Sequence, residues 1–138
     1  PFPGVKLSAR AVYKKPFGLL SAGKVDEVLL VNTSGFVQEG TISNLICHLD
    51  GRWKTPRLGR FGVAGLARKW IIRCIETVGE CVELDEQIDL ACLQRADGVW
   101  LVNSVRGAVP IGAIDAMPIE INRDKTKQLR LWLKTLTG

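Results

Sequence analysis

Apolar positions along this chain change their period several times, and each change marks an element. Val25–Val31 is apolar and rich in β-branched residues, which predicts a buried strand. Asn32-Thr33-Ser34-Gly35 supplies hairpin-turn chemistry, and Phe36–Glu39 starts the return strand. Asn44–Leu49 forms a further apolar segment. Asp50-Gly51 then turns the chain tightly into Arg52–Thr55, a short partner strand that stops before Pro56. This stretch predicts a meander.

The period then lengthens. Val63, Leu66, Ala67, Trp70, Ile71, Cys74, Ile75 and Val78 recur at helical spacing, and Gly79 is placed to end that helix. Cys81–Leu84 predicts a strand, Ile88–Arg95 a short helix begun near Asp89, and Gly98–Val102 another strand. Ala108–Ile114 continues as a strand turned by Asp115-Ala116, with Pro118–Ile121 as a last extended piece. Residues 123–136 close as a helix with Leu129, Trp132, Leu133 and Leu136 on its apolar side. Residues 1–24, broken by Pro3, Pro16 and several glycines, read as irregular or short helical structure. Strands with interspersed helices predict an α/β or α+β domain.

Composition narrows the classes. The 138 residues suffice for one domain, read as 1–138, and hardly for two. No apolar run reaches the roughly 18–20 residues of a membrane span, and no signal-peptide pattern is present. The reading is therefore a cytoplasmic chain without membrane association. The first residue is Pro1, which suggests a processed chain or one piece of a longer protein. The net charge is +5, yet the basic residues are dispersed, and no basic run alternates with aromatics as a nucleic-acid surface would. An anionic cofactor or substrate explains the excess equally well. Cys47, Cys74, Cys81 and Cys92 lack CxxC spacing and lie in apolar patterns. They read as buried free thiols, with no metal site. His48, the single histidine, excludes His-rich chemistry and is expected on a strand without a catalytic role.

The remaining chemistry lies in three places. Lys6 stands 33 positions before Glu39, and Gly62-Val63-Ala64-Gly65 opens the long helix. An amine can condense with an aldehyde, a carboxylate can pair with a ring nitrogen, and unpaired N–H groups at a helix start can take a phosphate. Those are the requirements of pyridoxal 5'-phosphate. Most lysines are solvated surface charges, and a glutamate at a strand end is ordinarily solvated too. Spacing alone raises Lys6 above Lys14, Lys15 and Lys24.

Lys6, Val37-Gln38-Glu39-Gly40-Thr41-Ile42-Ser43-Asn44, Thr55-Pro56, Gly62-Val63-Ala64-Gly65 and Asn103-Ser104-Val105-Arg106-Gly107 occur in the order and spacing of a known superfamily. The chain resembles the class IV aminotransferases, the fold-type IV pyridoxal-phosphate enzymes, from Lys6 to about Ile114. That resemblance implies the larger C-terminal domain of such an enzyme, with mixed strands in a barrel-like sheet flanked by helices. Lys6 would be the lysine that carries the cofactor and shuttles protons. Glu39 would face the pyridine nitrogen, and Gly62, Val63, Ala64 and Ser104 would hold the phosphate. Arg106 would lie on the substrate side and attract a carboxylate. Ser43 and Asn44 are expected to organise the loop behind Glu39.

The chain also departs from the family pattern. Leu7-Ser8-Ala9-Arg10 stands where relatives often carry Asn or Tyr, and Ala64 stands where aminotransferases often carry Thr. The family's smaller N-terminal domain, with an arginine for the phosphate, is not part of this sequence, so a further domain or chain is expected as partner. The resemblance also implies a homodimer.

The segment Asn103–Pro110 is more similar to aminodeoxychorismate lyases than to aminotransferases. The favoured reading is therefore a lyase converting 4-amino-4-deoxychorismate to 4-aminobenzoate and pyruvate, a step toward folate. A branched-chain or D-amino-acid aminotransferase is the alternative; both take a small amino substrate. A basic binding module without catalysis is the second alternative.

Overall fold

A computed structural model describes residues 5–14, 27–40, 43–57, 65–115 and 117–136, with the backbone alone for 5–14, 27 and 28. Among the described residues, nine strands form one mixed sheet: β1 (Val5–Lys14), β2 (Glu27–Asn32), β3 (Val37–Gly40), β4 (Asn44–Leu49), β5 (Arg52–Pro56), β6 (Val82–Asp85), β7 (Gly98–Asn103), β8 (Gly107–Ile114) and β9 (Met117–Pro118). Their order is β3-β2-β1-β8-β7-β4-β5-β6, with β9 beside β8. Each of these pairings is antiparallel except β5 with β6. The mixed sheet with helices agrees with the expected class. Among the described residues it is open rather than closed into a barrel, since the pairing path ends at β3 and β6.

Three described helices cover it: α1 (Leu66–Thr77), α2 (Leu90–Arg95) and α3 (Arg123–Lys134). The central strands bury both faces, and their alternation sorts side chains into two cores. Leu45, Cys47 and Leu49 of β4 join Val99 and Leu101 of β7 beneath α2 and the β2–β3 hairpin. Ile46, Trp100 and Val102 face the other way, against Ala67, Ile71 and Ile75 of α1 and Leu129 and Leu133 of α3. A strand buried on both faces is mostly apolar, as Leu45, Ile46, Cys47 and Leu49 are, and its buried polar residues Asn44 and His48 each have a hydrogen-bond partner. The polar edges of this second core are satisfied locally. Trp100 Nε1 donates to Thr126 Oγ1 at 2.8 Å, and Arg130 Nε donates to the Ala108 carbonyl at 3.0 Å.

Local signals set the boundaries. Asn32 Oδ1 accepts from the N–H groups of Ser34 and Phe36, closing the β2–β3 turn. Asp50 and Gly51 both take positive φ, 54° and 74°, as a tight two-residue hairpin requires. Gly79, at φ 86°, ends α1 as its position predicts. Asp89 caps α2, its carboxylate accepting from Cys92 N–H at 2.9 Å. That bond, helped by Arg95, holds the Asp89 pKa below its usual value.

Two expectations are corrected. Val5–Lys14, within the segment expected to be irregular, is the ten-residue strand β1. Its odd positions Val5, Leu7, Ala9, Ala11 and Tyr13 are apolar or aromatic, and the even positions Lys6, Ser8, Arg10 and Lys14 are polar, with Val12 the one exception. That period of two outweighs the flanking prolines, which lie outside the strand. The thiols are not uniformly buried either: Cys47 is buried, Cys74 and Cys92 are half-buried, and Cys81 is exposed. Cys81 precedes β6, none of whose residues is fully buried, so the apolar pattern there did not imply enclosure. His48 lies on β4, its Nδ1 2.8 Å from Asp97 Oδ1 and its ring edge-on to Trp53.

Burial pushes the Cys47 thiol up from 9.0 to about 12. An alkylating reagent at pH 8 should therefore modify Cys81 first and leave Cys47 untouched until the chain unfolds, as read by peptide mass spectrometry. The same shift has a stability sign. The folded state keeps this proton up to about pH 12, whereas the unfolded thiol releases it near 9. Its contribution is whole below about pH 9 and is lost as pH rises between those values.

Candidate functional site

The β1–β2–β3 pairing brings the start of the chain beside Glu39. Lys6 pairs with Val31 of β2, and Glu39 pairs with Leu30 on the opposite edge of that strand. Their backbones thus lie two strand spacings apart, about 10 Å. Leu30 and Val31 are successive residues, whose partners regular alternation would send to opposite faces. Both pairings, however, carry a register shift at these positions, between Lys6 and Arg10 and between Leu30 and Val31. Such shifts re-aim side chains and break the alternation. Glu39 itself is half-buried.

The loop after Glu39 is fastened to two other loops. The Gly40 N–H donates to the Ser43 carbonyl at 2.8 Å. Asn44 Oδ1 accepts from the Gly65 N–H at 3.0 Å, and Gly65 caps the start of α1. The approach is so close that a Cβ at position 65 would stand 2.5 Å from that oxygen. A larger residue there would push the Asn44 side chain aside and break this bond. On the other side, Asn103 Nδ2 donates to Ser43 Oγ at 3.0 Å. Asn103 Oδ1 also accepts from the N–H groups of Val105 and Arg106, at 2.9 and 2.6 Å, shaping the turn between β7 and β8. Adjacent buried residues, Ser43 and Asn44, therefore join the Glu39 loop, the α1 start and the 104–106 turn.

Replacing Asn44 by alanine leaves the Gly65 N–H without this acceptor. A half-buried donor orphaned in this way costs roughly 1–3 kcal/mol. Urea denaturation should show a loss of that size, with the slope unchanged.

The α1 start suits an anion. Gly65 offers no capping side chain, and no acidic residue lies in the first turn. A positive helix end thus keeps its charge uncompensated by carboxylates of its own. Arg68, in that first turn, is 7% exposed. Its Nε donates to Thr55 Oγ1 at 3.4 Å and its Nη2 to the Pro56 carbonyl at 3.3 Å. Thr55 in turn donates to the Leu45 carbonyl at 2.6 Å. Together with the half-buried carboxylate of Glu39, this donor set fits pyridoxal phosphate. Among the described residues, no group of three or more His, Cys, Asp or Glu could hold a metal ion. No described helix is long and apolar enough to cross a membrane.

Of the residues singled out in the sequence, Glu39, Ser104 and Arg106 lie on described backbone with described side chains, the latter two exposed in the β7–β8 turn. Lys6 is placed by its backbone, and Gly62, Val63 and Ala64 lie outside the described residues. Ser43 and Asn44 organise the loop behind Glu39 as expected. Sequence reasoning missed Arg68 and the double role of Asn103. Arg68 could have been noticed: it shares a helix face with Ile71 and Ile75, three and seven positions on, where a charge is out of place.

Comparison with known proteins converges on one group. The amino-transferase class IV family matches residues 1–114. An aminodeoxychorismate lyase of Vibrio harveyi is 32% identical over 90 residues, which cover 65% of this chain and 33% of that protein. The solved 4-amino-4-deoxychorismate lyase of Pseudomonas aeruginosa has a TM-score of 0.74 at 32% identity, over 85% of this chain and 43% of the other. A branched-chain amino acid aminotransferase of T.th., solved with pyridoxamine 5'-phosphate, has a TM-score of 0.73 at 27% identity, over 83% and 38%. The chain spans about a third of the curated relative's length and about two fifths of these structures.

Proposed function

The chain belongs to the amino-transferase class IV family, and on that premise we propose that it supplies most of the pyridoxal-phosphate site of a 4-amino-4-deoxychorismate lyase. The observation that carries this reading is the junction at Ser43 and Asn44. It ties the strand end with Glu39, the anion-suited start of α1 and the Ser104 turn into one unit. The order Asn103-Ser104-Val105-Arg106-Gly107 and the two lyase relatives favour the lyase within the family.

When bound, the cofactor supplies an electron sink for a carbanion next to nitrogen. Lys6 would be the residue that holds it, and its free Nζ would take the C4 proton of aminodeoxychorismate. Beside a cationic ring a lysine amine is neutral more often than it is in water, as a base at C4 must be. Glu39 keeps the proton on the ring nitrogen through a charge-assisted hydrogen bond. Gly62, Val63, Ala64 and Ser104 hold the phosphate, and Arg106 draws a substrate carboxylate. The C–O bond to the side chain breaks as the ring becomes aromatic, which drives the elimination, and the proton taken from C4 would be returned to the departing enolpyruvate to give pyruvate. In the same reading the chain is the larger domain of a cytoplasmic homodimer completed by a further N-terminal domain.

Branched-chain aminotransferase is the second reading, favoured by the similarity to the solved enzyme of that name. Full-length protein with pyridoxal phosphate and aminodeoxychorismate should release pyruvate with no keto acid added. Turnover that requires a keto-acid acceptor, with no pyruvate from aminodeoxychorismate, would replace the lyase by the aminotransferase.

A further inference from the structure

Arg68 is a buried guanidinium for which the described residues provide a hydroxyl and a carbonyl but no carboxylate. It also sits at the wrong end of its helix. A cation in the first turn opposes the positive helix terminus, and burial raises that cost. Burial accordingly lowers its pKa, although an arginine stays charged at neutral pH. A solvated lysine or a neutral side chain would make a simpler helix start.

Its hydrogen bonds explain part of this placement. Through Thr55 Oγ1 and the Pro56 carbonyl, Arg68 pins the first turn of α1 to the end of β5. Asn44 pins the same turn to β4 through Gly65. Two buried side chains from different directions thus fix where the helix begins. Position alone, however, could be fixed by neutral groups. The charge is left over.

We infer that Arg68 is a positioning residue whose buried charge also sets the preference of this site for a phosphorylated over an unphosphorylated ligand, an inference that rests on the pyridoxal-phosphate reading above. It need not touch the phosphate. A charge held at the helix start, in a weakly polarisable interior, acts on a dianion from several ångströms away. A buried charge that is unfavourable beside the helix end becomes favourable beside an anion.

The test compares pyridoxal 5'-phosphate with pyridoxal, which lacks the phosphate, by absorbance titration of full-length wild-type protein, Arg68→Gln and Arg68→Lys. Glutamine keeps hydrogen-bonding capacity and loses the charge; lysine keeps the charge and loses the planar fork. The ratio of the two affinities should fall about fivefold or more in Arg68→Gln, with pyridoxal binding little changed, and should stay near wild type in Arg68→Lys. A merely structural role would weaken both ligands together. An unchanged ratio in Arg68→Gln, or a ratio lost equally in Arg68→Lys, overturns the inference while leaving the proposed function intact. If Arg68→Gln does not fold, Arg68→Lys against wild type decides: a preserved ratio supports the charge, a collapsed one refutes it. Wild-type protein that binds neither ligand would remove the proposed function itself, and this inference with it.

Discussion

Alanine in place of Lys6 should abolish covalent attachment of pyridoxal phosphate and lower turnover by about a thousandfold or more. That magnitude follows from the amine's two tasks. General acid–base catalysis by a placed side chain contributes roughly 10²–10⁴-fold, and loss of covalent anchoring adds to that. The effect should be specific to position 6. Lys14→Ala and Lys24→Ala should each turn over at close to the wild-type rate, since both would be ordinary surface charges. Steady-state kinetics on the three variants with saturating cofactor makes the comparison. If Lys6→Ala retained most of its activity while another lysine variant lost it, the proton shuttle would have to be reassigned.

Glutamine at position 39 should produce the second-largest loss. It preserves the size of Glu39 and most of its hydrogen-bonding geometry but cannot hold a proton on the ring nitrogen by charge. Hydrogen bonds to charged groups contribute roughly 1.5–3 kcal/mol, and each 1.36 kcal/mol is tenfold in rate. Turnover should therefore fall about 10- to 150-fold. Cofactor affinity should drop less, because the phosphate contacts remain. A variant with wild-type turnover would mean that Glu39 is the solvated strand-end carboxylate its type ordinarily is.

Much of this fold was legible because its signals are local. The change of period between Arg52–Pro56 and Leu66–Thr77, the Asp50-Gly51 turn and the Gly79 stop each depend on a few neighbouring residues. Strand β1 was obscured by prolines at its flanks, although its own alternation held at every position but Val12. The open edges of the sheet were not legible at all, since closure depends on pairings between distant segments.

At the site, residue types pointed to Lys6 and Glu39, but their relation across β2 emerges only from register. The clamp from Asn44 to Gly65 spans 21 positions and that from Asn103 to Ser43 spans 60. Nothing in local composition announces such contacts. Arg68 was hidden differently: a charged residue on a helix ordinarily reads as solvent-facing, and only counting along the Ile71 and Ile75 face shows that it points inward.

Borohydride reduction of the full-length protein with pyridoxal phosphate, followed by peptide mapping of the phosphopyridoxyl mark, reaches the central claim most directly. The account predicts a single modified lysine, Lys6, with the mark absent from Lys14, Lys15 and Lys24. A mark on one of those residues, or no mark on any lysine, would contradict it.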